Sequence, residues 1–217
     1  MIEQSKIKYF RTNLLSWFDE NKRSFPWRRK DISNYEIIIS EILLQRTKAE
    51  TVAKYYSTFF NKYPNWLKLS NANYDDLKII LKPLGLYNHR AIRIMKIIEE
   101  YKLKNGVLPK NRNELNDSNL STLYISNAYE LFILNNRAPL LDVNMARLIS
   151  RYFEPKEIKD VRNDKELFKL SKQVTNVKRC KELNWAILDF AALICKAKKP
   201  SCQTCILKSR CIFVKEN

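Results

Sequence analysis

The run Cys195-Lys-Ala-Lys-Lys-Pro-Ser-Cys202-Gln-Thr-Cys205-Ile-Leu-Lys-Ser-Arg-Cys211 constrains this chain more than any other stretch. It holds four of the five cysteines, spaced C-x6-C-x2-C-x5-C. Thiolates are the usual ligands of structural zinc and of iron–sulfur clusters, and four of them close a tetrahedral shell. The chain opens with no secretory pattern, which makes disulfides the weaker reading and a metal or cluster the expected one. Zinc motifs more often pair two C-x-x-C units, but residue type alone leaves zinc and [4Fe–4S] both open. Lys196, Lys198, Lys199, Lys208 and Arg210 fill the intervals. A bound metal would therefore pin two cationic loops into fixed shape, as a phosphate-binding surface requires. Cys180, outside the run, is expected to be a buried small hydrophobe.

Charge points the same way. Forty Lys and Arg against 23 Asp and Glu leave a net charge of +17 on 217 residues. That balance favours a polyanionic partner, with nucleic acid first and an acidic membrane surface as the alternative. No apolar run approaches the ~20 residues of a membrane span. A cytoplasmic, nucleoid-associated protein acting as a monomer is the expectation. A chain of this length can bury a proper core, as one domain or two small lobes.

Helical spacing recurs along the chain. Ile7 to Glu20 places Phe10, Leu14, Leu15, Trp17 and Phe18 on one face. Ser33 to Thr47 reads as a helix buried over most of its surface, capped by Ser33 or Asn34. Glu41 lies inside its apolar run, either on a solvated stripe or as a carboxyl whose pKa is raised by apolar walls. Ala49–Tyr63 and Asp75–Leu81 continue the pattern, and Asn184 to Cys195 reads as a buried helix delivering the first thiolate, with Asp189 as a structural hydrogen-bond partner. Only Gly85 and Gly106 occur, and Gly85 suits a turn of positive φ. Asp142 is well suited to cap the helix that follows it, where the helix dipole is expected to keep its carboxylate ionised, and Arg147 and Arg151 share one face of that helix.

Taken with the cysteine run, these segments resemble the endonuclease III and MutY superfamily of DNA glycosylases, from Trp17 to Cys211. The cysteine spacing is similar to the superfamily's cluster loop. Phe25-Pro26-Trp27-Arg28-Arg29 resembles the Leu-Pro-Trp-Arg opening of MutY-like enzymes. Ser40-Glu41-Ile42-Leu43-Leu44-Gln45-Arg46-Thr47 resembles their Ser-Glu-Ile-Met-Leu-Gln-Gln-Thr signature. Gly85-Leu86-Tyr87-Asn88-His89-Arg90-Ala91 looks like the Gly-Leu-Tyr-Asn-x-(Lys/Arg)-Ala loop of endonuclease III, and Leu141-Asp142-Val143-Asn144-Met145-Ala146-Arg147 like (Val/Leu)-Asp-x-Asn-x-x-Arg. Within the superfamily, Ile42-Leu43-Leu44, the arginine before Thr47 and Tyr124 are most similar to the MIG-type thymine–DNA mismatch glycosylases.

The resemblance implies an all-α, two-lobed helix-hairpin-helix glycosylase fold. A six-helix barrel lobe would span 25–136, and 1–24 with 137–217 would form a lobe carrying a [4Fe–4S] cluster on Cys195, Cys202, Cys205 and Cys211. It implies catalytic roles for Glu41, Asp142 and Tyr124. It puts double-stranded DNA holding a mismatched or damaged base against Gln45, Arg46, Leu86, Tyr87, Asn88, His89, Thr122 and Arg147, with Lys198 and Lys199 on phosphate. The implied reaction is removal of a flipped thymine or uracil opposite guanine, without strand cleavage. A lysine in place of Tyr124 would form a Schiff base with the sugar; a phenol has no nitrogen to do so. Tyr124 also reads as an ordinary core tyrosine. Two alternatives stand beside this reading. One is MutY-like excision of adenine opposite guanine or 8-oxoguanine, although a chain ending at 217 leaves no room for that family's added domain. The other is a non-catalytic iron–sulfur DNA-binding protein.

One segment departs from the family. Ser118-Asn119-Leu120-Ser121-Thr122-Leu123-Tyr124 falls on Leu-Pro-Gly-Val-Gly-x-(Lys/Ser/Tyr), so both hairpin glycines are gone. Those glycines let backbone N–H groups approach a phosphate. The Cβ atoms of Leu120 and Thr122 are expected to impede that approach, leaving either a hairpin of changed shape or a larger share of the grip for the cationic loops.

Overall fold

A computed structural model describes residues 3–155 and 158–216; the outer limits assigned to the cluster lobe, 1 and 217, lie outside the described residues. All regular structure among the described residues is helical, as the spacing of apolar positions implies. In chain order the α-helices are α1 (Gln4–Asn21), α2 (Asn34–Leu44), α3 (Ala49–Lys62), α4 (Trp66–Ser70), α5 (Tyr74–Leu81) and α6 (Tyr87–Leu103). They continue with α7 (Arg112–Asn116), α8 (Leu123–Phe132), α9 (Val143–Phe153), α10 (Lys165–Thr175), α11 (Cys180–Leu193) and α12 (Ile212–Glu216). None of these is long and apolar enough to cross a membrane. The chain divides into two compact units, Ser24–Leu134 and the pairing of Met1–Arg23 with Asn135–Asn217.

The first of these units contains α2 to α8. Its entry is set by a capping box: Ser33 Oγ accepts from Glu36 N–H at 3.2 Å, and Glu36 Oε2 accepts from Ser33 N–H at 3.1 Å. Burial opposes the charge on Glu36, but hydrogen bonds from Arg29 and Ser33 outweigh it and hold the carboxyl down at about 2. Ile38, Ile39 and Ile42 of α2 join Phe59 of α3, Leu81 of α5 and Ile94 of α6 in one core. Helices α5 and α6 lie side by side, as do α2 and α8. At roughly 1.5–3 kcal/mol for each fully buried large aliphatic or aromatic side chain, this core supplies the main force holding the unit together.

In the other unit α1 packs on α11, and α9 packs on α10, α11 and α12. Phe10 of α1 sits 4.9 Å from Tyr152 and 5.2 Å from Phe153, ring centre to ring centre, and Trp17 meets Phe190 edge-on at 5.1 Å. Asp189, fully buried in α11, accepts from Arg23 Nε at 2.8 Å and from the Arg23 backbone N–H at 3.0 Å. That is the partner a carboxylate inside an apolar helix requires. Asn184 accepts from Leu140 N–H at 2.7 Å and donates to Ala138 O at 3.1 Å, which fixes the extended run leading into α9. Cys180 is buried, as expected of a small hydrophobe.

Candidate functional site

Glu41 is only 5% exposed, so the solvated-stripe reading of this residue is corrected. The helix carrying it stops at Leu44, earlier than the apolar density implies. Gln45 and Arg46 leave the helix, and Arg46 takes a left-handed φ of 57° with its side chain exposed. The stop has a distant cause. Arg90, 5% exposed, donates through Nη2 to Leu43 O at 3.2 Å, Gln45 O at 2.6 Å and Thr47 Oγ1 at 2.5 Å. Its Nη1 donates to Leu84 O at 2.9 Å and to Gly85 O. One guanidinium thus satisfies a carbonyl orphaned at the end of α2 and fastens that end to the Leu84–Gly85 turn. Thr47 Oγ1 closes the knot by donating to Leu84 O at 3.1 Å.

That turn presents the second set of candidate residues. Gly85 has φ 71° and ψ 171°, a region essentially reserved for glycine. Leu86 follows in the left-handed region at φ 50°, which costs a non-glycine residue roughly 1–2 kcal/mol. Its side chain is 44% exposed at the tip of the turn, an apolar group held out into solvent by backbone strain. Tyr87 is half-buried at the start of α6, and Asn88 and His89 are exposed beside it.

The hairpin differs from expectation in its physical detail. Leu120 is 3% exposed and belongs to the core, so its side chain does not obstruct an approaching phosphate; the expectation of a blocking Cβ there is corrected. The backbone donors are instead already engaged. Asn119 N–H reaches Glu100 Oε2 at 2.6 Å, Leu120 N–H reaches Ser118 Oγ at 3.2 Å, Ser121 N–H reaches Ser118 O at 3.0 Å and Thr122 N–H reaches Leu120 O at 3.0 Å. Thr122 is the N-cap of α8 and accepts from Ile125 N–H at 3.3 Å. Tyr124 is half-buried against the same core.

Arg90, Arg93 and Glu100 were missed as functional residues by sequence reasoning. Arg93 Nη1 donates to Gln45 Oε1 at 2.8 Å, and its Nη2 lies 3.5 Å from Leu120 O. With Asn119 Nδ2 donating to Lys96 O at 3.2 Å, helix α6 holds all three candidate loops of this unit. The signal was available for Arg90, which lies four and seven residues before the buried Ile94 and Ile97 and so shares their face. A cation on an apolar face must be paired.

In the other unit, Asp142 Oδ1 accepts from Asn144 N–H at 2.9 Å and Met145 N–H at 2.8 Å, while Oδ2 accepts from Asn144 Nδ2 at 2.8 Å. Burial raises its pKa, against the lowering effect of these hydrogen bonds and of Arg147. The cap alone does not hold the carboxyl low. Arg147 turns inward, donating to Cys195 O at 2.9 Å, Ala191 O at 2.9 Å and Asn144 Oδ1 at 3.0 Å. Arg151 donates to Lys196 O at 2.7 Å and Ala197 O at 3.1 Å. The loop they hold exposes Lys196, Lys198 and Lys199.

Cys195, Cys202, Cys205 and Cys211 line one apolar cavity with Leu148, Tyr152 and Leu207. Burial pushes the Cys205 thiol up to about 11, opposed by the Leu207 N–H and reinforced by the neighbouring cysteines. Thiolates in such a place require a cation to pair with, so the donor set suits a metal or cluster. Among the described residues no three His, Cys, Asp or Glu side chains converge closely enough to hold a single ion.

A family model described as "HhH-GPD superfamily base excision DNA repair protein" matches residues 39–173. The thymine/uracil-DNA glycosylase of Methanothermobacter thermautotrophicus is 31% identical over 96% of this chain and 94% of its own. The adenine DNA glycosylase of Buchnera aphidicola subsp. Baizongia pistaciae is 32% identical over 93% of this chain and 57% of its own. A solved thermostable thymine-DNA glycosylase superposes with a TM-score of 0.89 at 29% identity, covering 99% of both chains.

Proposed function

The chain belongs to the HhH-GPD superfamily of base excision DNA repair proteins, and from that premise we propose that it excises thymine or uracil opposite guanine without cleaving the strand. The observation that carries this reading is the end-to-end likeness to a thymine/uracil-DNA glycosylase. Tyr124 adds to it, since a phenol offers no amine for a Schiff base.

The chemistry asks for two kinds of help. The departing base leaves with negative charge, and the sugar develops oxocarbenium character. Glu41, buried in α2, delivers a proton toward the base, directly or through water. Asp142, fixed by three hydrogen bonds, sets its anion against the sugar and orients water. The nucleotide must leave the duplex for either group to act. Leu86, exposed and strained at its turn, fills the gap in the stack, and Gln45 faces the opposite strand. Tyr87, Asn88 and His89 flank the wedge, and Arg46, Lys198 and Lys199 neutralise phosphates of double-stranded DNA. The enzyme acts as a monomer.

Cys195, Cys202, Cys205 and Cys211 would hold a [4Fe–4S] cluster. When bound, the cluster supplies a rigid cross-link for the cationic loop. Zinc at ~2.3 Å from each sulfur would demand thiols about 3.8 Å apart around one point, whereas a cubane spreads its four cysteines over four irons. The C-x6-C-x2-C-x5-C spacing, similar to the superfamily's cluster loop, favours the cluster. The purified protein should be brown, and a colourless protein with stoichiometric zinc would overturn this.

The test of the activity uses duplexes with single mismatches, followed by alkali. Alkali-dependent breaks at T or U opposite G support the proposal. Breaks without alkali reveal lyase chemistry, breaks at adenine support the MutY-like reading, and binding without breaks supports a non-catalytic protein. Asp142→Asn should abolish base release while keeping DNA affinity. Because burial raises the Asp142 pKa, base release should fall on acidification at a pH above ~3.9, the ordinary aspartate value.

A further inference from the structure

Gln45 is half-buried where the chain leaves α2, and its amide is held at one end only by a charged partner. A guanidinium has five donors and no acceptor, so the atom that Arg93 Nη1 touches at 2.8 Å is the amide oxygen. The usual ambiguity between amide O and N is thereby removed by chemistry. With the oxygen turned toward Arg93, the end of Gln45 that points away from that contact is its NH2 group, which only donates. Arg93 is itself fixed, half-buried in α6 with Nη2 lying 3.5 Å from Leu120 O, and burial lowers its pKa from the ordinary value.

We propose that Arg93 is a positioning residue that locks Gln45 with its NH2 outward, and that this lock makes the enzyme prefer an opposite base whose exocyclic group at position 6 is an acceptor. Guanine carries O6 where adenine carries the N6 amino group, so a donor aimed at that exocyclic position favours guanine and is mismatched with adenine there, although both bases carry ring acceptors elsewhere. The inference rests on the reading above in which Gln45 faces the opposite strand. It assigns to Arg93, which makes no contact with DNA in this scheme, the choice of hydrogen-bond polarity at that position.

The experiment compares kcat/KM for uracil excision from duplexes with uracil opposite guanine and opposite adenine. In Arg93→Met the guanine-over-adenine ratio should fall about tenfold, the equivalent of one lost polar discrimination of about 1.4 kcal/mol. Arg93→Lys, which restores a donor, should recover part of it. The double variant Arg93→Met with Gln45→Ala should discriminate no worse than Gln45→Ala alone, because Arg93 acts only through Gln45. Gln45→Glu avoids any question of folding: its carboxylate still pairs with Arg93 but offers only acceptors outward, so the ratio should move toward adenine. Additive losses in the double variant, or an unchanged ratio in both Arg93→Met and Gln45→Glu, overturn the lock. If Gln45→Ala leaves the ratio unmoved, Gln45 does not face the opposite base and the inference falls with that assignment. If the unaltered protein excises uracil from neither duplex, the glycosylase reading fails first.

Discussion

The loops around Gln45 and Gly85 in one unit and the loop from Cys195 to Cys202 in the other are both held by arginines donating to backbone carbonyls. The difference lies in redundancy. In the first region a single buried side chain, Arg90, reaches Leu43 O, Gln45 O and Leu84 O. In the second the work is divided between Arg147, on Ala191 O and Cys195 O, and Arg151, on Lys196 O and Ala197 O, and the four thiols line a common cavity beneath. A carbonyl left dry and unpaired costs about 1–3 kcal/mol, so a knot centred on one residue, with Thr47 Oγ1 sharing only the Leu84 carbonyl, is more fragile than one divided between two arginines. The first region buys a compact hold on two loops at the risk of losing both together.

That contrast predicts its largest effect at Arg90. Arg90→Met should destabilise the protein by about 3 kcal/mol or more in denaturant unfolding, since several carbonyls lose their donor at once. Arg90→Lys should recover only part, because an ammonium lacks the planar fork. Loss of less than about 1 kcal/mol in Arg90→Met would break the comparison. Gly85→Ala should come next, at roughly 1–3 kcal/mol. Beyond its own chain neighbours no heavy atom lies within 4 Å of an added Cβ, so that cost would be backbone strain rather than a clash with the surroundings. If the proposed cluster is present, Arg151→Met should cost about 1 kcal/mol or less in protein that carries it, and more in protein stripped of it by a chelator, when the arginines hold the loop without the cross-link. Equal costs in both states would mean that thiols and arginines do not share the load.

How much of this was legible in the sequence depended on how local the cause was. The capping box at Ser33 and the cap at Asp142 are set by neighbours within three residues; the Asp142 cap could be read directly, and the other was narrowed to Ser33 or Asn34. The helical elements and the gathering of four cysteines follow from spacing in the same way. The stop of α2 at Leu44 could not be read, because its cause, Arg90, lies 45 residues beyond Gln45. The rule that flagged Glu41, a charge inside an apolar face, applied equally to Arg90 and would have found it. Leu120 was misjudged for a different reason: a short loop has no periodicity from which to tell an inward side chain from an outward one. The direction of the Asp142 pKa was likewise out of reach, since a cap is visible in sequence but the burial opposing it is a tertiary quantity.

The hairpin and the cationic loop offer the finest version of the same comparison, because both are candidates for gripping phosphate. Backbone N–H groups serve an anion only when nothing else accepts from them, and those of Asn119 to Thr122 all have acceptors inside the protein. One of those acceptors is Glu100, whose carboxylate also accepts from Lys104 Nζ at 2.6 Å. The lysines of the other region face solvent, and Lys199 holds a left-handed φ of 51°. Each phosphate neutralised contributes about 0.9 to the slope of log affinity against log salt. Lys198→Ala and Lys199→Ala should each therefore flatten that slope by about 1, with affinity lost uniformly across DNA sequences. Thr122→Ala should leave the slope unchanged and cost only the cap, about 1 kcal/mol of stability. A slope that moves with Thr122 and ignores the lysines would return the grip to the hairpin and leave the cationic loop as scaffold alone.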